Sequence, residues 1–125
     1  PRYSEGRELA TRAELRCPDP SSNQYLAFSV MLKAGLDGIK KNMVPPAPTE
    51  EDVYEFDSAK LEERHIKTLP ASLQEAIDEA KNSEIVKSAL GKHTFEKFIA
   101  AKTKEWDDYR IKVTQWEIDR YLEAL

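Results

Sequence analysis

Three charged residues at alternate positions, Arg12, Glu14 and Arg16, carry the most specific chemistry in the chain. They are interleaved with Ala13, Leu15 and Cys17. An extended chain sends successive side chains to opposite faces, so the charged three share one face. Neighbours on such a face lie roughly 6.6 Å apart, which seats one carboxylate between two guanidinium groups. Guanidinium groups grip phosphate or carboxylate oxygens in bidentate fashion and a carboxylate can hold a cation, so the pattern suits an anionic substrate beside a metal ion. The same alternation also describes an exposed strand whose outer face is closed by its own ion pairs. Spacing alone leaves both readings open.

Other reactive side chains offer less. His65 and His93 are far apart and lack metal-ligand or triad spacing, so they read as ordinary surface or packing residues. Cys17 has no nucleophile motif around it and, on the apolar face of its strand, reads as a small core side chain. There is no Gly-rich phosphate loop.

The elements that must hold the charged face follow from the neighbouring sequence. A strand is expected over about 10–17, ended by Pro18 and Pro20, each of which removes a backbone donor. The corner Pro18-Asp19-Pro20-Ser21-Ser22 then offers Ser or Asp oxygens to cap a helix over about 23–42. Tyr25, Leu26, Phe28, Val30, Met31, Leu32, Leu36 and Ile39 cover more than one stripe of that helix, which predicts burial on most sides, with part of the native covering expected in sequence outside this chain because a piece of this size does not cover such a helix completely. Gly35 and Gly38 lower its helicity and are better explained by a close backbone approach. Residues 44–68 read as a Pro-rich and then acidic surface segment, irregular from Thr49 to Asp57, with Val53, Tyr54 and Phe56 as anchors.

Helical signals dominate residues 72–125. Ser72 to Glu75 is a capping-box signature, Asn82-Ser83 interrupts the helix that it opens, and a helix from Glu84 should stop at Gly91. Helical spacing resumes through about Lys112, and a second capping box, Thr114 to Glu117, opens a last helix with Ile118, Tyr121, Leu122 and Leu125 on one stripe. The expected class is mainly α with a short β element: one active-site strand, a buried helix and several C-terminal helices.

Composition narrows the function classes. At 125 residues, 40% hydrophobic and 34% charged, the chain suits one soluble globular domain. A net charge of -4 argues against nucleic acid or an anionic membrane as partner, both of which call for a basic surface. No apolar run approaches the ~20 residues of a membrane span, and the single Cys17 can form no internal disulfide, so a cytoplasmic location is expected. The start, Pro1 to Gly6, has neither an initiating Met nor an apolar signal segment, as expected of a piece of a longer protein.

Three ordered blocks resemble the C-terminal part of bacterial and archaeal type I glutamine synthetases. The first runs from Arg12 through Pro20 into Asn23-Gln24-Tyr25-Leu26-Ala27-Phe28, and the second is Ala34-Gly35-Leu36-Asp37-Gly38-Ile39-Lys40. The third joins Ala101-Lys102-Thr103-Lys104-Glu105-Trp106-Asp107-Asp108-Tyr109-Arg110 to Trp116-Glu117-Ile118-Asp119-Arg120-Tyr121. Gln24 stands where the family commonly has proline, and Ala13 where a larger aliphatic is frequent.

The resemblance implies that residues 1–125 are a C-terminal fragment of a glutamine synthetase catalytic domain. The parent would be a glutamate–ammonia ligase, condensing glutamate and ammonia at the expense of ATP through γ-glutamyl phosphate; the fragment alone would be inactive. It further implies Glu14 as a ligand of Mg or Mn, Arg12 as a contact to ATP and the transferring phosphoryl group, and Arg16 as a contact to glutamate. The implied assembly is a homo-oligomer, a dodecamer of two hexameric rings, with the last helix reaching into the facing ring; without the family, that helix would be expected to fold back on its own core. Tyr54 falls where some members carry an adenylylated tyrosine, yet its surroundings, Glu50-Glu51-Asp52-Val53, differ from the family's, and a packing tyrosine is the alternative. Two rival functions stay open: a γ-glutamyl ligase joining glutamate to an organic amine, and a non-enzymatic helical assembly module.

Overall fold

The computed structural model describes residues 5, 6 and 12–122. Helix α1, Gln24–Lys40, starts where the Asn23 side chain accepts the N–H groups of Tyr25 at 3.1 Å and Leu26 at 3.2 Å. Asn23, rather than a Ser or Asp of the corner, is therefore the cap. Asp19 instead closes the corner on itself, accepting the Ser21 N–H at 2.7 Å. Gln24 is the first helical residue, a position that tolerates proline without loss, so its departure from the family pattern costs the fold little. The helix ends in a Schellman turn: Asn42 takes φ 49°, and the Met43 N–H reaches the Gly38 carbonyl at 3.0 Å.

The stretch from Thr49 to Asp57, expected to be irregular, contains one turn of helix, and a short helix follows it. Asp52 caps a 3₁₀ turn, Val53–Glu55, and Asp57 caps a short helix α2, Ser58–Glu63. Glu51 pairs with Lys60 at 3.3 Å and Arg64 at 2.8 Å, folding the acidic run onto α2. His65, at φ 54°, closes α2 in a second Schellman turn, with its N–H on the Glu62 carbonyl and the Ile66 N–H on that of Leu61. Tyr54 is 96% exposed, so it does not act as a packing anchor.

Helix α3, Leu73–Asn82, opens with the Ser72 hydroxyl accepting the Glu75 N–H, while the Glu75 carboxylate reaches back to the Ala71 N–H at 2.9 Å. Ser83 both ends α3 and caps α4, Glu84–Arg110. Gly91, at φ 72° and ψ 158°, divides α4 into two straight parts. Helix α5, Gln115–Tyr121, begins with a reciprocal capping box between Thr114 and Glu117.

α4 packs against both α3 and α1, and no other pair of helices is in contact among the described residues. The core is correspondingly thin: Ile77, on α3, is the one buried hydrophobic residue among those described. Among the described residues no helix is long and apolar enough to cross a membrane.

One expectation is overturned. No strand forms among the described residues, so the expected short β element is absent. Residues 10 and 11 lie outside the described residues; residues 12–17 carry no regular secondary structure, because a strand exists only as part of a ladder, and no described segment lies alongside to supply the hydrogen bonds. α1 is not buried within this chain, the incomplete cover expected of it here. α4 covers one of its faces and the opposite face stays exposed, so no residue of α1 is buried. The last helix does not fold back on the core either: α5 meets no other helix among the described residues.

Candidate functional site

Arg12, Glu14 and Arg16 come together without a sheet, because extended geometry by itself keeps alternate side chains on one side. Arg12 donates Nε (3.1 Å) and Nη2 (2.6 Å) to Oε1 of Glu14. Arg16 donates Nε (3.0 Å) and Nη2 (2.7 Å) to Oε2. Each guanidinium thus spends one edge on the carboxylate and leaves Nη1 without a partner among the described residues, so the group presents unspent donors there and a net charge of one positive unit. The two guanidinium groups, Arg16 contributing more, hold the Glu14 carboxyl below its ordinary range.

All three residues are exposed, as are Ala13, Leu15 and Cys17 on the other side. Cys17 is therefore not a core side chain here, for no described element packs beneath this segment. Directly after it, Asp19 is held low by the Ser21 hydroxyl, then by the Ser21 N–H, with smaller help from the Ser22 N–H and the Lys102 charge. That corner forms the rim of a cavity of about 530 Å³ between the helices, lined by Leu26, Val30, Leu73, Leu90 and Phe98. The lining is mostly apolar, with Asp19, Ser21, Ser22, Asn23 and Lys102 as its polar part. Nothing in the spacing of the sequence pointed to it, since its walls come from three separate helices.

A metal ion was tested against these groups. Both oxygens of Glu14 are already held by guanidinium donors, and the described residues contain no cluster of three His, Cys, Asp or Glu able to hold an ion. A divalent cation needs several oxygen ligands, so these residues by themselves do not fit one. What they do fit is an anion: two planar, always-charged donors oriented by one carboxylate and open to solvent.

Comparison with known proteins agrees with the blocks that flank this site. The family model described as glutamine synthetase, catalytic domain, matches residues 2–121. The glutamine synthetase of Methanosarcina mazei is 52% identical over 92% of this chain and 26% of that protein. That of Thermotoga maritima is 50% identical over 97% of this chain and 28% of its own length, and that of Thermus thermophilus 46% identical over 93% and 26%. The chain thus spans about a quarter of the length of the curated relatives it matches. With the family model matching nearly its whole length and identities near one half, the chain belongs to the glutamine synthetase catalytic-domain family.

Proposed function

We propose that this chain is the C-terminal portion of a glutamine synthetase, and that Arg12, Glu14 and Arg16 are its contribution to the active site. The observation that carries this reading is the Arg–Glu–Arg group itself, two oriented guanidinium groups with free donors, within a chain of this family. The reaction transfers the γ-phosphoryl group of ATP to the side-chain carboxylate of glutamate; ammonia then attacks the acyl phosphate and phosphate leaves. The transferred group carries its charge on oxygens, so fixed cationic donors aimed at those oxygens lower the barrier.

In this reading Arg12 contacts ATP and the transferring phosphoryl group, and Arg16 binds glutamate and its phosphorylated form. Glu14 supplies one carboxylate to a divalent ion, Mg or Mn, whose other ligands belong to the rest of a family-length protein. The chain of 125 residues alone is then inactive. The protein works as a homo-oligomer, a dodecamer of two hexameric rings, with α5 in the facing ring. The exposed Trp116 and Leu122 of that region support such a contact. Solution in the cytoplasm accords with an acidic chain that has no membrane-crossing helix among its described residues.

The test is ATP-dependent phosphate release by the family-length protein with glutamate and Mg, with and without ammonia. Ammonia-dependent release that falls at least ~100-fold in Glu14→Ala is expected. Release only with an organic amine would replace the synthetase by an amine ligase. Silence with every amine, in an intact oligomer, would leave an assembly module.

A further inference from the structure

Beyond Gly91, the packed stripe of α4 carries one charge. Phe95, Phe98, Ile99 and Trp106 are half-buried and recur at helical spacing, and at 100° per residue Lys102 falls at the centre of the stripe they make. Lys102 is itself half-buried. A lysine turned inward among apolar side chains loses hydration and needs an anion in return. Its ammonium meets Glu105 at 2.6 Å, but that carboxylate sits on the same helix at the outer edge of the stripe and is exposed. The pair occupies one of three ammonium hydrogens and does not explain why the lysine is placed inward.

What lies inward is the corner that follows the arginines. Lys102 lines the same cavity as Asp19, Ser21, Ser22 and Asn23, the residue that caps α1. The N-terminal end of a helix is positive and disfavours a lysine, so the group in that rim that suits an ammonium is the Asp19 carboxylate. The Ser21 hydroxyl is the largest influence holding that carboxyl low, and the Lys102 charge acts on it in the same direction through space.

The corner is built to move as one piece. The Asp19 carboxylate accepts the Ser21 N–H at 2.7 Å and its hydroxyl at 2.5 Å, and the Asp19 carbonyl accepts the Ser22 N–H at 3.1 Å and its hydroxyl at 2.8 Å. Pro18 and Pro20 fix φ on either side of Asp19. Arg16 stands three positions before Asp19, within ~11 Å of chain, whereas Arg12 lies further along. We propose that Lys102 is a positioning residue for Arg16: from the inward face of α4 its ammonium attracts Asp19 and so fixes where the corner directs the Arg16 guanidinium. This rests on the reading of Arg16 as the contact to glutamate. Arg12, more remote from the corner, feels it less, so the interaction favours glutamate over ATP.

The experiment uses the family-length protein, with glutamate and ATP dissociation constants measured separately by calorimetry in the presence of Mg, and Tm beside them. Lys102→Met should weaken glutamate about 5-fold, the upper end for a partly exposed charge pair, and leave ATP within ~2-fold. Its Tm should hold or rise, because an apolar side chain suits the stripe, and this separates lost positioning from lost folding. Lys102→Arg should restore glutamate to within ~2-fold. Asp19→Asn should match Lys102→Met, with the double variant no weaker than either, as expected of two residues acting as one unit. Glu105→Gln should leave glutamate affinity unchanged. Unchanged glutamate affinity in Lys102→Met, a loss shared equally with ATP, losses that add in the double variant, or an equal loss in Glu105→Gln would each overturn the proposal while leaving the reading of Arg16 in place. An unsubstituted protein that binds no glutamate would remove that reading and this proposal with it.

Discussion

Replacing Gly91 by alanine gives the sharpest check on the fold, because two readings of that position predict opposite signs. Gly91 lies inside the span of α4, and a glycine in an ordinary helix interior costs roughly 0.5–1 kcal/mol relative to alanine, so the substitution would stabilise. Its φ of 72° and ψ of 158°, however, belong to a region that only glycine occupies readily, where another residue costs on the order of 1–3 kcal/mol. A Cβ at Gly91 meets no atom within 4 Å, so steric contact does not enter and the whole effect is backbone strain. Gly38 supplies the control. It sits in α1 without a positive φ and also with nothing within 4 Å, so Gly38→Ala should stabilise by about 0.5–1 kcal/mol. Urea unfolding followed at 222 nm, at one protein concentration, reads both. With a slope of ~1–3 kcal/mol per M, the midpoints should move in opposite directions and differ by on the order of 1 M. A Gly91→Ala midpoint that rises together with that of Gly38→Ala would refute the break in α4.

Two further outcomes are expected. Glu14 has a carboxyl held below its unfolded value, so its ion pairs are intact above the usual carboxylate range and are lost as pH falls through the folded value. An NMR titration of Glu14 should move upward in Arg16→Gln and by less in Arg12→Gln, and an unmoved midpoint would remove the clamp. Ile77→Ala empties the one buried hydrophobic position among the described residues and should cost about 2–3 kcal/mol, the lower part of the usual range because its surroundings are half open and can settle. A loss below ~0.5 kcal/mol in the same urea experiment would mean that α3 and α4 are not held together there.

What the sequence made legible was mainly local. The Arg12–Glu14–Arg16 group could be foreseen because it depends on neighbours two positions apart, and the capping roles of Ser72 and Thr114 because a cap acts across three residues. Features that need a distant partner were misread. The alternation of residues 12–17 has the pattern of a strand, but pairing is a property of two segments and the second is missing among those described. The apolar residues of α1 predicted burial on most sides without showing what covers each side; within this chain α4 covers a single face. Tyr54 looked like an anchor beside Val53 and Phe56, yet the Asp52-capped turn points it into solvent while Phe56 rests under the Lys60 ammonium at 4.2 Å. His65 passed as ordinary; its tolerance of left-handed backbone, which lets it close α2, was the signal available.

The single residue between α3 and α4 has a kinetic consequence. Ser83 ends one helix and begins the next, so these two can find each other with almost no chain to close. α1 must return across residues 41–72, and closing a loop of ~30 residues costs roughly 3 kcal/mol in chain entropy before any contact repays it. The hairpin of α3 and α4 is therefore the template on which the molecule assembles, and α1 is the latecomer that docks last on folding and leaves first on warming.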